Sequence, residues 1–120
     1  MNQELKMVLE FHKKFKVPVA ENPSLIPEDR SDLRYKIIDE EVEEYKKGVA
    51  NNDLENIAKE LVDILYATYG TILEHGLQDK LEEIFAEVHR SNMSKEYHSG
   101  KVQKGANFSP AEIGKFLEKK

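Results

Sequence analysis

Leu5, Val8, Leu9 and His12 recur at i, i+3, i+4 and i+7, with Phe11 and Phe15 beside them, which is the signature of one helical face. Pro18, Pro23 and Pro27 then interrupt any helix and predict an extended connector over residues 17–29. A second helix is predicted from about Asp32 to Lys47, with Gly48 as the glycine that ends it. Asn52 or Asp53 can cap a third helix that continues to His75 and ends at Gly76. Asp79 and Glu82 have the spacing of a capping box and open a fourth helix carrying Leu81, Ile84, Phe85 and Val88. Residues 91–108 are polar and glycine-containing and read as a loop. Ser109, Pro110 and Glu112 predict the start of a short last helix. No stretch alternates as a strand does. The expected fold is therefore all-α, a compact bundle of four to five helices forming one domain over residues 1–120.

Composition adds limits to this picture. With 120 residues, 39% hydrophobic and 34% charged, the core is lean, so completion by oligomerisation, as a homodimer or a dimer of dimers, is expected. A net charge of −5 argues against a nucleic-acid backbone or an anionic membrane as partner. Cysteine is absent, which excludes disulfides and thiolate zinc sites. No apolar run has the length of a bilayer span, and the N-terminus lacks the apolar core of a signal peptide. The expected location is the cytoplasm.

The charge pattern changes the reading of the second helix. At 100° per residue, with Ile37 at zero, Ile37, Ile38, Val42, Tyr45 and Val49 fill an arc of about 140° that should be buried. Glu41 falls inside that arc at about 40°, and Glu44 and Glu40 lie on its edge. Glu43 and Asp39 point the other way, as an ordinary solvated acidic face does. Burying an unpaired carboxylate is costly, so Glu41 must meet a cation, take a proton or sit in a wet cavity.

The third helix repeats the signal. Leu61 to Leu73 contains a single charged side chain, Asp63, and a helix apolar nearly all round is a buried one. Glu60 stands one turn before Asp63 on the same face, and Ala67 and Gly70 continue that stripe with small side chains. An ion pair with a base on another helix is the simpler explanation, but the second helix offers further acids. Two like charges about 4 Å apart repel by roughly 4 kcal/mol at an effective dielectric of 20, so four carboxylates call for metal ions. Oxygen-only ligands suit magnesium or manganese, and magnesium commonly shares its shell with substrate phosphates.

The pair Glu41-Val-Glu-Glu44 and Glu60-Leu-Val-Asp63 forms the pattern ExxE…ExxD, and with EFHKKFKVP and HRSNMSKEYHSGKVQKGANFSP it resembles the MazG-like all-α NTP pyrophosphatase superfamily. The resemblance is to a phosphoribosyl-ATP-pyrophosphohydrolase-like subgroup and runs along nearly the whole chain. It implies two or more magnesium ions, with manganese as a substitute, held by Glu41, Glu44, Glu60 and Asp63. It also implies cleavage between the α and β phosphates of a nucleotide, releasing a monophosphate and pyrophosphate. Glu40 is the candidate to orient or deprotonate the attacking water, with Glu41 as its rival.

Positive charge is expected near the leaving pyrophosphate. Arg90 to Lys104 supplies candidates, of which the resemblance favours Asn92, Lys95, Lys101 and Lys104, while Arg90 also fits a helix-end charge. Phe11, His12 and Phe15 are candidates for stacking on the base, against the more ordinary reading of helical aromatics as core. Three functions follow. The first is a nucleotide pyrophosphohydrolase of pool housekeeping, and the second is hydrolysis of phosphoribosyl-ATP in histidine synthesis. The third is a non-catalytic nucleotide- or metal-binding module that regulates a partner. Pyrophosphate release across a nucleotide panel separates them.

Overall fold

The structure is a computed structural model that describes residues 1–117; residues 118–120 lie outside the described residues. Its elements run α1 (Gln3–Phe15), α2 (Glu28–Ala50), α3 (Leu54–Glu74), α4 (Leu81–Met93), β1 (Glu96–His98), β2 (Lys101–Gln103) and α5 (Gly114–Leu117). Among the described residues the chain is all-α apart from one small hairpin. It divides into two compact units, the first ending at Gln78 and the second beginning at Asp79.

In the first unit, Asn2 caps α1 through a 2.7 Å bond from the Leu5 amide, and Lys16 ends the helix in the left-handed region. The connector is shorter than expected, because α2 starts directly after Pro27. That helix also runs past Gly48, which does not end it. A Cβ on Gly48 would stand 3.2 Å from Asn56 and 3.3 Å from Ile57, so the glycine serves close helix packing. The left-handed residue of the α2–α3 turn is Asn52, and Asp53 caps α3 by accepting from the Asn56 amide at 3.1 Å.

The connector is stitched to the end of α3. Ala20 donates its amide to the Leu73 carbonyl at 3.0 Å, and Ser24 donates to that of His75 at 2.9 Å. Gln78 Nε2 donates to the Ala20 carbonyl at 2.7 Å, and the His75 ring donates to the Ser24 carbonyl at 2.8 Å. Gly76, at φ 69°, passes so close to the Asn22 backbone that no Cβ fits.

Helices α2 and α3 pack along each other, and α1 lies against α3. Among the described residues the buried apolar side chains are Leu5, Val8, Ala67 and Leu73. The apolar faces are covered less than their periodicity suggests. Ile37, Ile38 and Tyr45 are half-buried, whereas Val42 and Val49 are exposed. On α3, Leu61, Val62 and Leu65 are about half exposed (47%, 59% and 53%), because α1 and α2 cover only part of its circumference.

The second unit departs more from expectation. Lys80, not Asp79, precedes α4 as its N-cap and makes no side-chain cap hydrogen bond. The segment expected as a loop contains the last turn of α4 and an antiparallel hairpin pairing Glu96 with Gln103, Tyr97 with Val102 and His98 with Lys101. Ser99 and Gly100 both have positive φ, 52° and 81°, the backbone of a two-residue hairpin turn matched to strand twist. Three-residue strands are too short to leave an alternating pattern. The last helix begins at Gly114, because the Ser109 amide donates to Ser94 Oγ and the Glu112 amide to the Glu87 carboxylate, which holds this stretch out of helical geometry.

Candidate metal and nucleotide site

Glu41 projects from α2 and Glu60 and Asp63 from α3, and their carboxylate oxygens lie within 4.8 Å of one another. The spacing on α3 places Glu60 and Asp63 one turn apart, and packing of α2 against it brings Glu41 across. Glu60 is 5% exposed, and its Oε2 is buried without a hydrogen-bond partner. The Glu41 carboxyl is pushed up to about 7, first by its hydrogen bond with Glu60, then by burial and by the charges of Asp63 and Glu60. Three acids therefore share too little positive charge.

Lys59 partly answers this deficit. Its ammonium stands 2.7 Å from Asp63 Oδ2 and 3.5 Å from Glu60 Oε1, and its side chain is 69% exposed. The orphaned oxygen, the crowding of three carboxylates and the all-oxygen donor set fit a hard divalent cation. Glu44 is not brought to this cluster. It is turned to Lys47 at 3.3 Å near the surface, because at the outer edge of the helical arc a lysine one turn on competes for it. Glu40 is exposed.

Beside the carboxylates, α1, α2 and α3 enclose a cavity of about 250 Å³ reaching from Glu41 and Asp63 to His12 and Arg34. Phe11 and Tyr66 form one wall, their rings edge to face at 5.6 Å. Of the expected base contacts, Phe11 and His12 line the cavity, while Phe15 stands behind Phe11 with ring centroids 4.8 Å apart. His12 Nδ1 donates to the Pro18 carbonyl at 3.1 Å, and burial lowers its pKa, so the ring is neutral.

The far end of this cavity was not visible in the apolar periodicity. Arg34 donates to the Ala67 carbonyl at 2.8 Å and to Thr71 Oγ1 at 3.0 Å, and lies 3.3 Å from Glu74. Arg30 grips the same carboxylate. Burial lowers the Arg34 pKa, an effect that Glu74 opposes. A Cβ on Gly70 would collide with the Arg34 guanidinium and stand 2.9 Å from His12 Nε2, so only glycine lets both side chains fold onto α3. Two signals were available: Arg34 lies seven residues before Glu41 on the same helical face, and Glu74 is an acid at the carbonyl end of a helix, where it needs a cation.

The expected phosphate contacts belong to the second unit. Lys95 follows the end of α4, its amide donating to the Asn92 carbonyl at 3.1 Å, and Asn92 itself is exposed. Lys101 faces His98 across the hairpin, and the Lys104 ammonium lies 5.1 Å over the Phe108 ring. Arg90 is engaged by Glu87 at 2.7 and 2.9 Å, by Ser109 at 3.0 Å and by the Pro110 carbonyl at 3.1 Å.

The family model described as phosphoribosyl-ATP pyrophosphohydrolase matches residues 8–92. That span holds the three clustered acids, Glu44, all the cavity-lining residues and Asn92, and stops short of Lys95, Lys101 and Lys104. No curated protein matches the chain.

Proposed function

Because the chain belongs to the phosphoribosyl-ATP pyrophosphohydrolase family, within the MazG-like all-α pyrophosphatases, we propose that it cleaves the α–β phosphoanhydride of a (deoxy)nucleoside triphosphate. The products are a nucleoside monophosphate and pyrophosphate, and the role is nucleotide-pool housekeeping. Members of the family are metal-dependent hydrolases. The observation that carries this reading is the cavity of base size that is lined by Glu41 and Asp63, two of the three clustered acids.

Magnesium, two or more ions with manganese as a substitute, would be held by Glu41, Glu60 and Asp63, and by Glu44 once it turns from Lys47. When bound, the metal supplies charge neutralisation at the phosphates and a more acidic water. Glu40, exposed and next to Glu41 in the chain, orients or deprotonates the attacking water, with Glu41 as its rival. Phe11 and Tyr66 pack against the base, and His12 offers Nε2 as an acceptor. Asn92, Lys95, Lys101 and Lys104 are the candidates that the family resemblance suggests for phosphate contacts. A second copy of the chain covers Val42, Val49, Leu61, Val62 and Leu65, whose exposure on a lean core supports a homo-oligomer.

The family description favours a second substrate, phosphoribosyl-ATP. Pyrophosphate release from a panel of free triphosphates and from phosphoribosyl-ATP, each with magnesium and with chelator, decides between them. Release from the adduct alone overturns the housekeeping reading. Tight nucleotide binding without any release indicates a regulatory module.

A further inference from the structure

We propose that Lys59 is a built-in counter-ion of the carboxylate cluster, which competes with the incoming metal and passes to the substrate's phosphates once that metal binds. The inference rests on the metal-site reading above. Its ground is position: the Lys59 ammonium contacts two of the three clustered acids, at 2.7 and 3.5 Å, where a bound cation would compete for them. One positive charge on a flexible stem cannot satisfy three carboxylates. Glu60 Oε2 is left buried without a partner. A divalent ion can reach all three acids, and its arrival cancels the attraction that keeps Lys59 at Asp63.

The displaced ammonium does not travel far. Lys59 is rooted on α3 one residue before Glu60, so its tip stays at the rim of the cluster. A triphosphate docked on the cluster brings about four negative charges to that rim, and a lysine behaves as a mobile point charge toward phosphate. The same residue therefore holds the acids together in the metal-free protein and contacts phosphate in the loaded one.

The test is Lys59→Gln, measured by calorimetry in two steps. Magnesium or manganese is first titrated into nucleotide-free protein, and a nonhydrolysable triphosphate is then titrated at saturating metal. The expected results have opposite signs. Metal binding tightens roughly two- to fivefold, the scale of losing an exposed ion pair, and triphosphate binding weakens about tenfold, the scale of losing a charge-assisted hydrogen bond. Equal metal affinity in both proteins overturns the counter-ion role, and unchanged triphosphate affinity overturns the transfer to phosphate. Wild-type protein that takes up no metal overturns the site reading itself, and this proposal with it. Neither step requires turnover, and Lys59→Arg, which keeps the charge, should restore triphosphate binding and separates charge from folding.

Discussion

Arg30 holds Glu74 through two parallel hydrogen bonds, Nε to Oε1 at 2.9 Å and Nη2 to Oε2 at 2.8 Å, while the Glu74 side chain is 1% exposed. The carboxylate also faces Arg34, so one acid compensates two guanidinium groups at the inner end of the cavity. Replacing it with an amide leaves a buried cation without its partner. Glu74→Gln should lower stability by about 3 kcal/mol, read from denaturant unfolding. A change within experimental error would mean that the pair does not hold this end of the helices together.

Glu60→Gln and Asp63→Asn should each reduce turnover by more than about 100-fold while the far-ultraviolet circular dichroism stays unchanged. Each substitution removes a proposed metal ligand and also relieves repulsion, so the metal-free variants should melt no lower than wild type. Near-normal turnover from either one would count against the proposed ligands.

The Glu41 carboxyl is raised from its ordinary 4.5 to about 7, first by its hydrogen bond with Glu60 and then by burial. A raised folded value favours the fold at low pH, and this contribution is lost as pH rises from about 4.5 through 7. Metal must displace that proton, so magnesium affinity should climb over the same window, with proton release on binding. Melting curves of metal-free protein from pH 5 to 8 should decline, and magnesium should flatten the decline. Glu41→Gln should lose both effects.

Glu87 has the opposite sign. Its hydrogen bonds from Arg90, then from the Glu112 amide, hold it at about 2, below 4.5. The stability it contributes is present above pH 4.5 and is lost as pH falls toward 2. Acid unfolding followed by tryptophan-free probes such as amide exchange in α4 should show Glu87→Gln already weakened at neutral pH and less sensitive to acid below 4.5.

Gly70→Ala should raise KM or Kd for the nucleotide, because the added methyl displaces the Arg34 guanidinium and His12 into the cavity. Metal affinity of the nucleotide-free protein should stay unchanged, since Gly70 is not among the clustered acids. Loss of metal binding in this variant would show that the cavity and the cluster are not separable.

The helices and the inward-facing acids were legible wherever a side chain sat against its expected environment. Glu41 inside an apolar arc and Asp63 alone in an apolar helix pointed inward, and the structure brings both to Glu60. Glu44 was ambiguous for a physical reason: it lies at the arc's edge, where Lys47 competes for it. Lys59 was missed because an i, i+4 lysine–aspartate pair looks like surface decoration until the aspartate's other neighbours are known. Helix ends were least legible, since Gly48 packs instead of terminating and Ser109 is taken by Ser94. Exposure of the α3 faces could not be read either, as periodicity identifies an apolar side without saying what covers it.

The proline-containing stretch between α1 and α2 looks like slack in the chain, yet it is sewn to the end of α3 at Ala20 and Ser24. Thermal opening of this stretch must therefore uncouple the tail of α3 at the same moment. The amide protons of Ala20 and Ser24 should exchange with solvent in step with the helix they clasp, and a protease should find no early cut between the first two helices.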